Sequence, residues 1–245
     1  MLSGSFCCFC GLSPEAEQRL WRLGCLKWSH LPRLAHRLIS VRKTVDLVGQ
    51  IPLLQAALQG RVADVFIKRL PVGHRLRLLP EFSSGIGFLD IETTGLARTD
   101  DITVIGLHLG GRLRQYVRGV DLDEFLQSWR AIEVLVTYNG AAFDLPHLAR
   151  HFGLSVMPPH IDLRHEARAY GLIGGLKVIE KKMGLYRTST EAGDGALAAE
   201  WWASYAKHND TDALKRLLAY NAQDAASLPI IAEFLWKRSM QMFPA

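Results

Sequence analysis

The chain has 245 residues, 49% of them hydrophobic and 22% charged, a balance that buries a sizeable core and excludes intrinsic disorder, collagen-like repeats and a disulfide scaffold. No apolar run reaches the roughly 20 residues that span a bilayer. The net charge of +5 is unevenly placed: residues 1–80 hold 12 Lys and Arg against 4 Asp and Glu, and residues 81–245 hold 17 against 20. The first stretch, at +8, suits an anionic partner; the second, at −3, has a different surface.

Three of the four cysteines fall at Cys7, Cys8 and Cys10. Cys7 and Cys10 form a CxxC pair that Cys25 and His30 could complete into a zinc site, but the spacing fits no standard finger. Buried thiols in an apolar segment are the preferred reading. No basic region precedes the first apolar stretch, so a secretory signal is not expected, and a cytoplasmic location is.

Ser13-Pro14-Glu15 is a strong helix start, with a hydroxyl cap, a proline in the first turn and an acid at the positive end of the dipole. Leu20, Trp21 and Leu23 give its apolar face, and Gly24 ends it. Further helices are expected over 30–40 and 44–59. Pro71, Gly73, Pro80 and Ser83-Ser84-Gly85 punctuate the chain and divide a basic helical lobe, 1–80, from a second domain, 81–245.

Beyond that boundary the texture changes. Ile86–Ile91 reads as a buried strand. Ile102–Leu109, Gly110-Gly111 and Leu113–Val117 read as a hairpin. A helix over 121–130 and a strand over 134–138 follow, then helices over 145–152, 162–170, 175–184, 195–206 and 210–237. The expected fold class is α/β: a mixed sheet flanked by helices, preceded by a small all-helical lobe.

The chemistry concentrates in three segments. In Phe88-Leu89-Asp90-Ile91-Glu92-Thr93-Thr94-Gly95-Leu96, two acids at i and i+2 on a strand share one face. Burying two like charges side by side requires cations to neutralise them, unless that face is solvated. Asn139 follows the strand over 134–138, and Phe143-Asp144 opens the next helix, where Asp144 alone reads as a cap. Tyr220 and Asp224, four apart on a late helix, share a face.

Taken in order, Asp-x-Glu, Asn-x3-Phe-Asp and Tyr-x3-Asp resemble the DEDD superfamily of 3′→5′ exonucleases on a ribonuclease-H-like fold, in its tyrosine-bearing subclass. Proofreading domains of DNA polymerases belong to that superfamily. Within it the chain looks similar to the YprB-type family, through Leu89–Leu96, His160-Ile161-Asp162-Leu163 and Leu176-Lys177-x2-Glu180-x3-Gly184-x2-Arg187, over about residues 86–235. Gly11-Leu12-Ser13, Glu17, Leu20-Trp21 and Trp28 extend the resemblance upstream. One departure is Tyr220-Asn221, where many YprB-type members carry His-Asn.

The resemblance implies a hydrolase that releases nucleoside 5′-monophosphates from the 3′ end of DNA or RNA. Asp90, Glu92, Asp144 and Asp224 would hold two divalent cations, Mg²⁺ or Mn²⁺, about 3.5–4 Å apart. Tyr220 would orient the attacking water. Thr93, Thr94, Gly95, Leu96, Asn139 and Phe143 are candidates for gripping the terminal nucleotide. Asp162 reads as a helix cap or a support for the site, and Lys177, Lys181 and Lys182 as phosphate contacts or a solvated face. Trp201-Trp202 cannot both point inward, so one is partly exposed or stacks on a base. Two other readings stay open: a non-catalytic binding or docking module on the same fold, and a structure-specific endonuclease.

Overall fold

The computed structural model describes residues 2–185 and 195–241; Arg187 lies outside them. The chain divides into two compact units, Met1–Ser83 with Phe234–Ala245, and Ser84–Glu233.

The first unit holds α1 (Pro14–Arg22), α2 (Leu31–Leu34), α3 (Val41–Val48), α4 (Ile51–Gln59) and α5 (Ala63–Arg69), with short 3₁₀ turns between them. Ser13 caps α1 as its sequence predicts, its hydroxyl accepting from the Ala16 amide at 3.3 Å. The helix expected over 44–59 is instead two. Ser40 caps α3 and starts it earlier, and Pro52, which has no N–H to give, sits in the first turn of α4 and not within a continuous helix. Over 30–40 only α2 is α-helical, and Ala35–Arg37 tightens to 3₁₀.

The interior of this unit is aromatic: Phe9 meets Trp28 edge-on at 5.8 Å between centroids, and Trp28 stacks on Phe66 at 6.4 Å. Within it lies a buried ion pair. The Glu17 carboxylate accepts from Arg77 Nη1 at 2.8 Å and from the amides of Phe6 and Cys7 at 2.5 and 3.0 Å, and both side chains are 1% exposed. Arg77 also donates to Ser5 Oγ at 3.1 Å and lies over the Trp21 ring. Cys7, Cys8 and Cys25 are buried and Cys10 is exposed. Burial and the nearby Glu17 carboxylate push the Cys7 thiol up to about 12, and burial pushes Cys25 to about 11. The expectation of buried thiols therefore holds for Cys7, Cys8 and Cys25 and not for Cys10.

The second unit is built on a five-stranded sheet in the order β3-β2-β1-β4-β5. Its strands are β1 (Ile86–Thr93), β2 (Ile102–Leu109), β3 (Arg112–Val117), β4 (Val134–Thr137) and β5 (His160–Asp162). β1 runs antiparallel to β2 and parallel to β4, so the sheet is mixed. The β2–β3 hairpin turns on Gly110 and Gly111, both at positive φ, a backbone that glycine adopts without steric cost. β5 was not expected, since the sequence reads as helical from 145 onward; it is three residues long, too short to show a period.

Around the sheet lie α6 (Phe125–Trp129), α7 (Asp144–Phe152), α8 (Leu163–Arg168), α9 (Leu176–Lys182), α10 (Gly195–His208) and α11 (Thr211–Met240). The period of two along β1 sends Leu89 and Ile91 into a core shared with Phe125, Trp129 and Leu148. On the opposite face Val104 and Val117 pack against Ala198, Trp202, Leu217 and Tyr220. The architecture is the α/β arrangement expected: a mixed sheet with helices on its faces and a helix-rich N-terminal region. No helix among the described residues is long and apolar enough to cross a membrane.

Candidate active site

β1 is the central strand, and the face opposite its Leu89/Ile91 side carries Asp90 and Glu92. A register shift in the β1–β2 ladder falls between Glu92 and Thr93, at the end of the strand beside these acids. Asp224 comes from α11, and one carboxylate oxygen each from Asp90, Glu92 and Asp224 lie within 4.8 Å of one another. Among the described residues no other group of His, Cys, Asp or Glu side chains gathers in this way.

Asp144 joins them on the same pocket wall. It is not the cap of its helix: Phe143 occupies that position, and Asp144 is the first helical residue, 5% exposed. The amides of Asp144 and Ile91 favour its charged form, but burial outweighs them and holds its carboxyl up at about 7. Asp90 and Glu92 are pushed well above the usual carboxylate range, first by burial and then by Asp224 and the other acids facing them. Four carboxyls that cannot all be charged without a counter-ion are a donor set for a hard divalent cation.

The pocket has a volume of about 170 Å³ and is lined by the four acids, Tyr220, Thr93, Leu96, Tyr138, Asn139 and Phe143, among others. Of the residues expected to grip a nucleotide, Thr93, Leu96, Asn139 and Phe143 therefore reach it. Thr94 and Gly95 do not line it. Thr94 bonds to the Asp101 backbone in both directions, and Gly95 accepts from the Thr93 hydroxyl at 2.5 Å. Asn139 takes a left-handed backbone at φ 66°, which asparagine tolerates better than most residues. Asp162 both caps α8, accepting from the Arg164 amide, and holds this loop through the Asn139 and Ala141 amides at 2.8 and 3.3 Å. His160 meets the Thr137 hydroxyl at 2.9 Å, and that hydroxyl accepts from the Gly140 amide.

Tyr220 is 9% exposed, with its ring against the half-buried Trp201 at 6.0 Å; Trp202 is the inward member of the Trp pair. Lys177 Nζ lies 4.6 Å from the Tyr220 ring centroid. Of the three lysines on α9 only Lys177 lines the adjoining cavity, of about 400 Å³, which extends from Asp90 and Asp224 to Arg164 and Leu176. Lys181 and Lys182 are exposed.

Sequence reasoning missed three contributors. Arg164 donates to Asn139 Oδ1 at 2.6 Å, setting a cation beside the acidic pocket. Tyr138 bonds the Gly174 carbonyl at 2.7 Å, closing one wall. Asn221 donates to Asp90 Oδ2 at 3.0 Å. For Asn221 a signal existed, its place beside Tyr220; for the other two none did.

Residues 87–236 match one protein family over more than half of the chain. The chain belongs to the RNase_H superfamily. Among solved structures it is similar to a family B DNA polymerase from the hyperthermophilic archaeon Pyrobaculum calidifontis, at 16% identity and a TM-score of 0.45. That match covers 65% of this chain and 26% of the polymerase chain. No curated protein matches the sequence. In this RNase_H-superfamily domain, a cluster of buried and half-buried acids on the central strand and a late helix fits a nuclease with a divalent-metal site.

Proposed function

We propose that this RNase_H-superfamily chain is a metal-dependent 3′→5′ exonuclease of the tyrosine-bearing DEDD type, similar to the YprB-like proteins. The reading assigns catalysis to residues 81–245 and an accessory basic lobe to residues 1–80. The observation that supports it most is the convergence of Asp90, Glu92, Asp144, Asp224 and Tyr220 on one pocket from three separate sequence segments.

The four carboxylates would hold two divalent cations, Mg²⁺ or Mn²⁺, which when bound neutralise the scissile phosphate and make water a better nucleophile. Everything else falls to the chain's own residues. Tyr220, with its ring held between Trp201 and Lys177, orients the water through its hydroxyl. The water oxygen forms the new bond to phosphorus as the bond to the 3′-oxygen breaks, and the water's proton ends on that departing oxygen. Lys177 and Arg164 place positive charge where phosphate oxygens would lie, and Asn139, Phe143, Thr93 and Leu96 surround the terminal nucleotide.

A 5′-labelled oligonucleotide, DNA or RNA, tests this with Mg²⁺ and Mn²⁺ in turn. The label should appear in a ladder of products shortened from the 3′ end, and a closed single-stranded circle should stay intact. Asp90→Asn and Asp224→Asn should abolish shortening, and Tyr220→Phe should lower kcat by about 10²-fold with little change in KM. Tight binding without shortening under either metal would refute the enzyme; cutting of the circle would refute its dependence on an end.

A further inference from the structure

Three residues stand in one row across the sheet: Asp90 on β1 is opposite Gly106 on β2, and Gly106 is opposite Gln115 on β3. Asn221, fully buried on α11, lies over that row. Its Nδ2 donates to Asp90 Oδ2 at 3.0 Å, and its Oδ1 accepts from Gln115 Nε2 at 3.0 Å. The same Gln115 nitrogen donates to the Leu218 carbonyl at 2.8 Å, one turn before Asn221 on the same helix. Gly106 makes the span possible: a β-carbon there would lie 2.4 Å from Asn221 Oδ1.

A carboxamide presents a donor on one side and an acceptor on the other, and a half-turn exchanges them. The Asp90 carboxylate and the Asp90 backbone carbonyl, at 3.0 and 3.3 Å, both accept from Nδ2 and favour the donor side. Gln115 fixes the same orientation from the other end, because its nitrogen can only donate and is anchored by the Leu218 carbonyl. With Oδ1 held by Gln115, Nδ2 must face Asp90. Were the amide reversed, two oxygens would oppose each other at the carboxylate and two nitrogens at Gln115.

We propose that Gln115 is a positioning residue for the acidic site, acting through Asn221 to hold the Asp90 carboxylate in one orientation. The proposal rests on the reading of Asp90 as a metal ligand, and partners of this kind typically carry about 10–100-fold in metal affinity. It places a determinant of the site on a strand that none of the motifs touches, 106 residues from Asn221.

The test is Mn²⁺ binding by the full chain without nucleic acid, followed by electron paramagnetic resonance, with thermal melting in metal-free buffer as the control for folding. Gln115→Met removes the donor and leaves the Asn221 orientation to Asp90 alone. Gln115→Glu replaces the donor with an acceptor that favours the reversed amide. If Gln115 positions, Mn²⁺ affinity falls several-fold in Gln115→Met and at least tenfold in Gln115→Glu, while melting does not follow that order. In activity assays the loss falls on kcat and not on KM for the oligonucleotide. Wild-type Mn²⁺ affinity in Gln115→Glu, or losses that simply track melting, would overturn the proposal. A wild-type chain that binds Mn²⁺ but hydrolyses no nucleic acid would sink the exonuclease reading and leave this one standing, provided Gln115→Glu still weakens the metal.

Discussion

The Glu17–Arg77 pair gives the sharpest expectation for stability. Replacing Glu17 with Gln keeps the shape and leaves an oxygen for the Phe6 and Cys7 amides, but strands the Arg77 charge in an interior where both partners are 1% exposed. Breaking a buried pair from one side costs about 3–5 kcal/mol, because the remaining charge has lost its counter-ion. Glu17→Ala adds two amides without an acceptor, at about 1–3 kcal/mol each. Removing both charges in Glu17→Gln/Arg77→Met relieves most of the penalty, so the double-mutant cycle should show a coupling of at least about 2 kcal/mol. Urea unfolding followed by tryptophan fluorescence reads this out, since Trp21 and Trp28 bond the Gly4 and Ser5 carbonyls of the same cluster at 2.9 and 2.8 Å. A cost below about 1 kcal/mol for Glu17→Gln, or a double mutant equal to the sum of its parts, would refute the reasoning.

Two further expectations concern charge. Asp90, Glu92 and Asp144 have folded-state pKa values above their unfolded ones, so between about pH 4 and about pH 7 the folded chain binds more protons. The metal-free Tm should therefore fall as pH rises through that window, and Mn²⁺ should restore it at pH 7.5; a metal-free Tm that rises from pH 5 to 7.5 would contradict the acidic cluster as described. In the first unit, Arg33, Arg37, Arg42 and Lys43 are all exposed, with no acid between Glu17 and Asp46. Changing these four to Gln should lower the salt slope of oligonucleotide binding by up to about 3–4, on roughly 0.7–0.9 per phosphate contact. An unchanged slope would reassign that surface to a role other than nucleic-acid binding.

Much of the fold was legible because its periods are short. The alternation of Leu89 and Ile91 with Asp90 and Glu92 names both the core face and the acidic face of β1, and Gly110-Gly111 names the hairpin. The three motifs were legible as a set, although the cap reading of Asp144 was natural to its local sequence and gave way to burial against β1. What stayed hidden depends on elements far apart in the chain. No local pattern distinguishes Gln115 from an ordinary strand residue, or Arg164 from an ordinary helix residue. The break between α3 and α4 was signalled by Pro52 but lost under an apolar pattern that continues through it. β5 is recognisable only from the strand it pairs with.

The distance between Asp90 and its α11 partner Asn221 is 131 residues, nearly the whole length of the second unit. Asp224 lies three residues further on, so a chain still emerging from the ribosome carries Asp90, Glu92 and Asp144 long before it carries the fourth acid. During that interval the partial site lacks both Tyr220 and the amide that bonds Asp90. Under the proposed function, the acidic site is complete only once α11 has been made and has docked.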